Sequence, residues 1–342
     1  MNSIYTQTKI SVVIATYNED PQLLIDLFYS LQKQTVQPTE IIIVDNSSDD
    51  HLVPIIQKHC PQGLLLKQSE NLDFDRSYNL GMSKASSEYI LILNADLVLK
   101  PNAIEYLLKT IQTDARIAAV GPKLYRLTTS LEKSTERAII DSLEIIGNRS
   151  RRFINRGEGT IDTGEYTETR EVFGLSGTAI LFRTTALHDV AKYGGGRMDE
   201  YFDEDFVAYK EDIDLAYRLQ HRGWKIMLEP RAIMYHKRTA QETKKGTIQG
   251  VFKDREQKSV RIRGNSYRNH LWILIKNEPL SNLLVHLPWI GYYECAKFLF
   301  LLFFERSTLA ILPSFFKKLP RMLKKRKIIL SSSQISHQKF LR

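Results

Sequence analysis

Residues 88–99 read Glu88-Tyr-Ile-Leu-Ile-Leu-Asn-Ala-Asp-Leu-Val-Leu99, and the order of apolar and polar groups in this stretch decides the fold. Tyr89 to Leu93 is an uninterrupted apolar run of strand length, the pattern of a central parallel strand covered on both faces. It ends abruptly in polar groups. Asn94 and Asp96 flank the small Ala95, so two oxygen-bearing side chains leave a strand end, where open α/β sheets bind their ligands. Two hard oxygen donors there suit a divalent cation that in turn holds phosphate oxygens. Taken alone, the same residues also describe a strand-to-helix turn in which Asp96 caps the helix that follows.

The design recurs on either side. Lys9 to Tyr17 is another buried-strand pattern, and Asn18-Glu-Asp-Pro21 opens a helix to about Gln34 with proline in its first turn. Thr39 to Asp45 repeats it, with a carboxylate at the strand end and a polar turn at residues 46–50. Leu64 to Leu66 reads as a short strand, and Asn71 to Gly81 as a loop and helix start that sets Arg76 near exposed N–H groups able to meet a diphosphate. A helix from Pro101 to about Gln112 and a strand at Ile117 to Val120 continue the alternation, which implies βαβ crossovers and a mainly parallel sheet flanked by helices.

From Lys123 to Arg170 the pattern weakens, and residues 147–168 read as a long loop or two marginal strands. Order returns at Val172 to Phe182, where Gly174, Ser176 and Gly177 permit close backbone approach, so that Leu175 to Gly177 could floor a cleft. Acids then crowd. Asp203, Glu204 and Asp205 precede Glu211, Asp212 and Asp214, which fall in the first turn of a helix. A helix N-terminus favours carboxylates, but so many repel one another unless a cation or substrate sits nearby. Trp224 to Leu228 and Ala232 to Tyr235 read as two short strands, the second leading into His236.

The chain of 342 residues, 43% apolar, is long enough for one large domain and an appendage. Cys60 and Cys295 make neither a disulfide framework nor zinc spacing, which fits a reducing, cytoplasmic setting. Met1 to Ile10 has no basic region followed by an apolar core, so no secretory signal is expected. The net charge of +9 belongs to the tail: residues 241–342 hold 20 Lys/Arg against 6 Asp/Glu, leaving residues 1–240 mildly acidic. That argues against a nucleic-acid partner and toward an anionic membrane surface for the tail.

Together these pieces resemble the inverting glycosyltransferases of family 2 with a GT-A fold, particularly the rhamnosyltransferase-like branch of bacterial surface-polysaccharide synthesis. The resemblance runs from about Lys9 to His236 and continues weakly through Asn265-Ser-Tyr-Arg-Asn269. Its most specific block is Met198-Asp-Glu-Tyr-Phe with Glu211-Asp-Ile-Asp-Leu-Ala-Tyr-Arg218 and Gly223-Trp224.

The resemblance implies roles by position. Thr16, Tyr17, Glu19 and Asp45 match positions that hold the nucleotide base and ribose; Asn71 and the Arg76-to-Gly81 segment match the motif beside the diphosphate. Asn94-Ala95-Asp96 stands in the place of an Asp-x-Asp metal motif, with His236 completing a Mg²⁺ or Mn²⁺ site. Asp212 matches the catalytic base, with Ser176, Gly177 and Glu211 on the acceptor side. A nucleotide-diphosphate sugar, dTDP-rhamnose or a UDP-sugar, would be the donor and a saccharide, lipid-linked or free, the acceptor. Asn94 in place of Asp removes one charge from the metal motif. Asp73 and Asp75 stand where many relatives have small residues, and would repel a diphosphate unless they point away.

Beyond about residue 240 the composition changes, which divides the chain into a catalytic domain at 1–240, a helical extension at 241–330 and a polar, disordered tail at 331–342. Lys253 to Arg263 reads as a charged helical connector. The apolar runs at 283–293 and 298–304 are broken by His286, Pro288, Glu294 and Lys297, and neither supplies the ~20 apolar residues of a spanning helix. With the basic run Lys317 to Lys327 they suit helices lying on the inner face of the cell membrane, beside a lipid-linked acceptor. Packing on the catalytic domain, or a homodimer interface, is the rival expectation. Two other functions compete. A sugar nucleotidyltransferase would carry a Gly-rich basic loop after the first strand, and Thr16-Tyr-Asn-Glu-Asp20 is neither; a non-catalytic membrane scaffold would have no need of Asp212.

Overall fold

Each apolar run ends where its polar residues begin, and the sheet is built in register on those ends. The computed structural model describes residues 9–47, 49–127, 138–193, 195, 197, 199–237, 255 and 258–335. Strands β1 (Ile10–Thr16), β2 (Glu40–Asp45), β3 (Leu64–Lys67) and β4 (Tyr89–Asn94) lie side by side and parallel. Thr16 stands opposite Asp45 and Ala15 opposite Asn94, so their polar ends form one rim. The crossovers are α1 (Pro21–Gln32), α2 (Val53–His59) and α3 (Asp73–Lys84). Asp20 caps α1 by accepting from the Gln22 N–H at 3.0 Å. Gly81 lets α3 lie close on β1: a Cβ there would come 2.4 Å from Val13 Cγ1.

The chain continues through β5 (Leu97–Leu99), α4 (Ala103–Ile111), β6 (Ile117–Arg126) and β7 (Ile140–Ser142). Next come a hairpin of β8 (Ile145–Gly147) and β9 (Phe153–Asn155), then β10 (Arg170–Glu171) and β11 (Ala179–Arg183). Helices α5 (Thr184–Lys192) and α6 (Glu211–His221) lead to β12 (Lys225–His236). The sheet order is β10-β12-β6-β11-β4-β1-β2-β3, with β5 on β12 and β7 on β6. Because β11 is antiparallel to both β4 and β6, six strands share one direction around it, and the short β5, β7 and β10 are reversed as well.

The alternation along the strands sorts two cores. Val12, Ile14, Leu91 and Leu93 join α1 and α4 on one face, while Val13, Ile90 and Ile92 join α3, α5 and α6 on the other. Each such fully buried side chain contributes roughly 1.5–3 kcal/mol. The two strands expected at 224–235 are one, β12, with a register shift between Glu229 and Ile233. Pro230 has no N–H for the ladder, and the irregularity absorbs it.

Three helices follow: α7 (Val260–Asn277), α8 (Leu280–Phe304) and, after a 3₁₀ turn at Arg306–Ile311, α9 (Leu312–Ser331). Two expectations change here. His286 and Pro288 do not break the apolar run; α8 continues through them for 25 residues, long and apolar enough by length and composition to cross a membrane, with 11% of its most apolar window buried. A proline costs a helix one hydrogen bond, and the apolar residues on both sides carry the helix past it. The basic run expected at the membrane surface is also partly buried in the protein. Lys325 is 1% exposed, Arg326 donates to the carbonyls of Ile275 and Glu278, and Phe315 and Met322 share a core with Ile213, Tyr217 and Trp272. Of the regions expected to be a connector and a disordered tail, residues 251–254, 256, 257 and 336–342 lie outside the described residues, while Ser331 still belongs to α9.

Candidate active site

At the polar rim of β1, β2 and β4 opens a cleft of about 360 Å³, a size suited to a small ligand. Thr16, Tyr17 and Glu19 line it from the turn after β1, Asn71 and Phe74 from the start of α3, and Asn94 to Asp96 from the end of β4. Tyr17 is half-exposed and offers a flat apolar face. Six residues expected around a nucleotide are therefore together. Two others sit differently. Asp45 lies beneath the cleft, fully buried, accepting from Thr16 Oγ1 at 2.9 Å, from the Ser47 N–H at 2.9 Å and from Lys67 Nζ at 3.1 Å. Burial favours its neutral form, but these hydrogen bonds outweigh it and hold the carboxyl below its ordinary range. Arg76 does not line the cleft; its Nε donates to the Leu72 carbonyl at 3.1 Å.

Asn94 is anchored by Tyr78, whose hydroxyl donates to Asn94 Oδ1 at 3.1 Å and to the Leu93 carbonyl at 2.9 Å. Beside it, β12 brings His236 to Asp96, with Nε2 3.1 Å from Oδ2. The other ring nitrogen faces Asp141 Oδ2 at 2.8 Å. Burial lowers the imidazole pKa, yet the two carboxylates raise it to about 9, so His236 is charged at neutral pH. Among the described residues no three side chains of metal-ligating type converge. One carboxylate oxygen and one imidazole nitrogen fit Mg²⁺ or Mn²⁺, which take few protein ligands and fill the remainder with water and substrate phosphate. Such a cation would have to displace the proton from His236.

Asp212 enters the same rim from the other half of the sheet. Its Oδ2 accepts from the Gly177 N–H at 3.2 Å and its Oδ1 from the Ile213 N–H at 2.8 Å. Gly177 leads into Thr178, whose carbonyl accepts from the Asn94 N–H at 2.9 Å, and a Cβ on Gly177 would come 3.1 Å from Phe74 of the cleft. A side chain at this position would press on Phe74, which would have to give by a few tenths of an ångström. The protein around Asp212 raises its pKa, and the two N–H donors oppose this without cancelling it. Its neighbour Glu211 is buried, with Oε2 unpartnered; desolvation first and then Asp212 push it up to about 8. Both carboxyls are thus held above their ordinary range, Glu211 the further of the two, and they titrate as a pair. Ser176, expected beside them, bonds Thr178 Oγ1 at 3.0 Å.

The crowding of acids finds its cations in the C-terminal helices. Asp214 pairs with Arg218 and Lys276, each at 2.8 Å, and accepts from Asn277 Nδ2 at 2.7 Å. Asp203 takes Lys276 and Lys325; Asp205 takes Lys318, Arg321 and Lys325. The loop before Asp212 is strained: Val207, Tyr209 and Lys210 have φ near +70° without being glycine. Asn269 of α7 holds it, donating from Nδ2 to the carbonyls of Phe206, Ala208 and Tyr209 at 2.8–3.0 Å.

Four contributors thus escape sequence reasoning: Asn46, Asp141, Asn269 and Lys276. Asn46 donates to the Thr16 carbonyl at 3.1 Å and to Ser77 Oγ at 3.0 Å, tying β1 to α3. Its place beside Asp45 was the available signal. Asp141 sits as a lone acid in the run Ile139-Ile-Asp-Ser142, and Asn269 in a motif legible without a role. Lys276, in an apolar helix, gave none.

Similarity to known proteins agrees with this geometry. The model of glycosyl transferase family 2 matches residues 11–190. Poly-beta-1,6-N-acetyl-D-glucosamine synthase of Staphylococcus aureus (strain COL) is 26% identical over 233 residues, covering 66% of this chain and 49% of that protein. Chondroitin synthase of Escherichia coli is 26% identical over 244 residues, covering 66% and 34%. The chain thus spans about half or less of the length of these curated relatives. In fold it resembles the crystal structure of GalNAc-T7 with UDP, GalNAc and Mn²⁺, with a TM-score of 0.57 and 15% identity over 78% of this chain and 48% of the other.

Proposed function

This chain belongs to glycosyl transferase family 2, and from that premise we propose that it moves a sugar from a nucleotide-diphosphate donor to a saccharide hydroxyl, inverting the anomeric carbon. Its sheet has the arrangement of a GT-A glycosyltransferase. The observation that carries the proposal is the meeting of two halves: a cleft floored by Asn94 to Asp96, and an ionisable Asp212 joined to that rim through Gly177.

In this reading the base stacks on Tyr17 and the diphosphate lies toward Asp96. Bound by Asp96 and His236, Mg²⁺ or Mn²⁺ would supply positive charge to the leaving diphosphate. Asp212 takes the proton of the acceptor hydroxyl while its oxygen attacks the anomeric carbon from the face opposite the diphosphate. The bond from that carbon to the phosphate oxygen breaks, and one carboxylate suffices. The raised pKa makes Asp212 a better base than an exposed aspartate. Glu211, protonated, can donate a hydrogen bond to the acceptor beside it.

The relatives whose names specify N-acetylglucosamine polymer and chondroitin support a polysaccharide product, and the neighbour holding UDP and Mn²⁺ supports a metal-assisted UDP-sugar; the rhamnosyltransferase-like motifs keep dTDP-rhamnose in view. A lipid-linked acceptor at the inner face of the membrane is supported by the exposed apolar face of α8. The test is hydrolysis and transfer from UDP-, dTDP- and GDP-sugars with and without Mn²⁺. Release of nucleoside diphosphate from at least one donor, lost in Asp212→Asn, is expected; no turnover or binding of any donor would overturn the proposal.

A further inference from the structure

The cleft that is read as the donor site has an electrostatic defect. Among the described residues its lining includes the carboxylates of Glu19, Asp73 and Asp96 and no lysine or arginine. A diphosphate arriving there meets like charge, which a single divalent cation offsets only in part. The arginine expected to help, Arg76, is not among the lining residues and donates from Nε to the Leu72 carbonyl.

A cation is nevertheless held at the rim. Arg261, in the first turn of α7, reaches across 188 positions of sequence to Asp73 at the start of α3, and its Nη2 bridges Oδ1 at 2.7 Å and Oδ2 at 2.8 Å. The guanidinium is two-thirds exposed, and its Nε and Nη1 make no hydrogen bond among the described residues. Asp73 is fixed for its part. It holds φ at +60°, and its N–H donates to Asn71 Oδ1 at 2.8 Å. Its carboxylate therefore points at Arg261 from within the cleft lining. Exposed ion pairs contribute little to stability, so this one exchanges at small cost. Arginine recognises the two oxygens of a carboxylate and of a phosphate with the same fork.

We propose that Asp73 and Arg261 form an exchangeable latch, in which Arg261 leaves Asp73 for the diphosphate of the bound donor and so sets a preference for diphosphate over monophosphate ligands. The inference rests on the nucleotide-donor reading above. Asp73 parks the arginine beside the phosphate position while the cleft is empty. It is also the competitor the donor must displace.

Calorimetric titration of the full chain with UDP, dTDP and GDP, and with UMP, dTMP and GMP, in Mn²⁺, tests it. Arg261→Ala should weaken the preferred diphosphate about 10-fold or more, as loss of a charge-assisted contact does, and change the matching monophosphate by about 2-fold or less. Asp73→Asn keeps a residue at ease in the left-handed region, removes one repelling charge and frees Arg261, so the diphosphate should bind several-fold tighter. Equal loss for both ligand classes in Arg261→Ala, or a loss in Asp73→Asn matching that of Arg261→Ala, would make the pair a structural strut and overturn the latch. A native chain that binds a diphosphate, with Arg261→Ala unaltered, overturns the latch alone; a native chain that binds no nucleotide overturns the donor reading with it.

Discussion

The backbone N–H of Gly177 donates to Oδ2 of Asp212 at 3.2 Å, and this bond joins the first turn of α6 to the rim where the cleft lies. Asp212→Asn keeps an oxygen for that bond while removing the proton acceptor. Transfer should fall by about 10²-fold or more, the usual contribution of a general base, with nucleotide affinity within about 2-fold of the native chain. Single-turnover rates and titration of nucleotide read the two separately. A variant that keeps a tenth of the activity removes Asp212 from the role.

The rate should also carry an acid limb. In the proposed role Asp212 acts ionised, and burial raises its pKa. Activity is therefore full above that pKa and declines as pH falls through it, with the midpoint above ~4, the value of a free aspartate. The pH dependence of kcat/KM between 4 and 9 measures the midpoint; one at or below 4 contradicts the environment described for Asp212.

His236 lies between Asp96 and Asp141, at 3.1 Å and 2.8 Å. Asp96→Ala should abolish the dependence of nucleotide affinity on Mn²⁺. Asp141→Asn, which leaves the cleft lining untouched but loosens the ring, should weaken Mn²⁺ about 10- to 100-fold, as partners of metal-bound histidines generally do. Titrating Mn²⁺ at fixed nucleotide tests both. Identical affinity with and without the cation in the native chain refutes the metal site.

What the sequence disclosed follows from the physics of each part. Strand ends were legible because Tyr89 to Leu93 and Ile10 to Thr16 change from apolar to polar at one residue, and the parallel register brings those changes level. The cleft residues next to them, Thr16, Tyr17, Glu19 and Asp96, were legible for the same reason. Arg76 misled because helical spacing gives a residue's turn and not its side chain's partner; its Nε is taken by the Leu72 carbonyl and it does not line the cleft. The partners of Asp203 and Asp214 were invisible because Lys276 and Lys325 come from helices some 60 to 120 positions later. Nothing local in a basic run announces that one of its lysines is buried.

That lysine makes a stability prediction. Lys325 is 1% exposed and pairs with Asp203 at 2.5 Å, Asp205 at 3.0 Å and Glu200 at 3.3 Å. Lys325→Met leaves Asp203 with Lys276 and Asp205 with Lys318 and Arg321 but removes the buried cation the three carboxylates share, and should cost about 3 kcal/mol, the lower end for losing one partner of a buried pair. Lys317→Met, on an exposed position of the same helix, should change stability by about 0.5 kcal/mol or less. Asp203 is buried, which favours its neutral form, but Lys276 and Lys325 hold it below its ordinary value. Its contribution is thus present above ~4 and lost as pH falls further. Urea unfolding of both variants, at pH 7 and below 4, reads the difference; equal midpoints for Lys325→Met and the native chain would show the network to be idle.

The exposed face of α8 carries the last prediction. Leu284, Leu287, Trp289 and Phe303 are each about half or more exposed on a helix whose next neighbour, α9, is locked to the catalytic half through Lys325. Removing residues 281–342 would strip Phe315 and Met322 from the core they share with α6, so truncation confounds membrane release with unfolding. Substitution of Leu284, Leu287 and Phe303 together by serine avoids this, since none packs inward. If α8 meets lipid, each exposed side chain that enters the bilayer contributes roughly 1.5–3 kcal/mol, and the triple variant should lose most of its co-sedimentation with anionic vesicles while keeping its melting temperature. Unchanged co-sedimentation contradicts the membrane role. A native chain that sediments as a dimer in the absence of lipid, with a monomeric triple variant, assigns the face to a second copy instead.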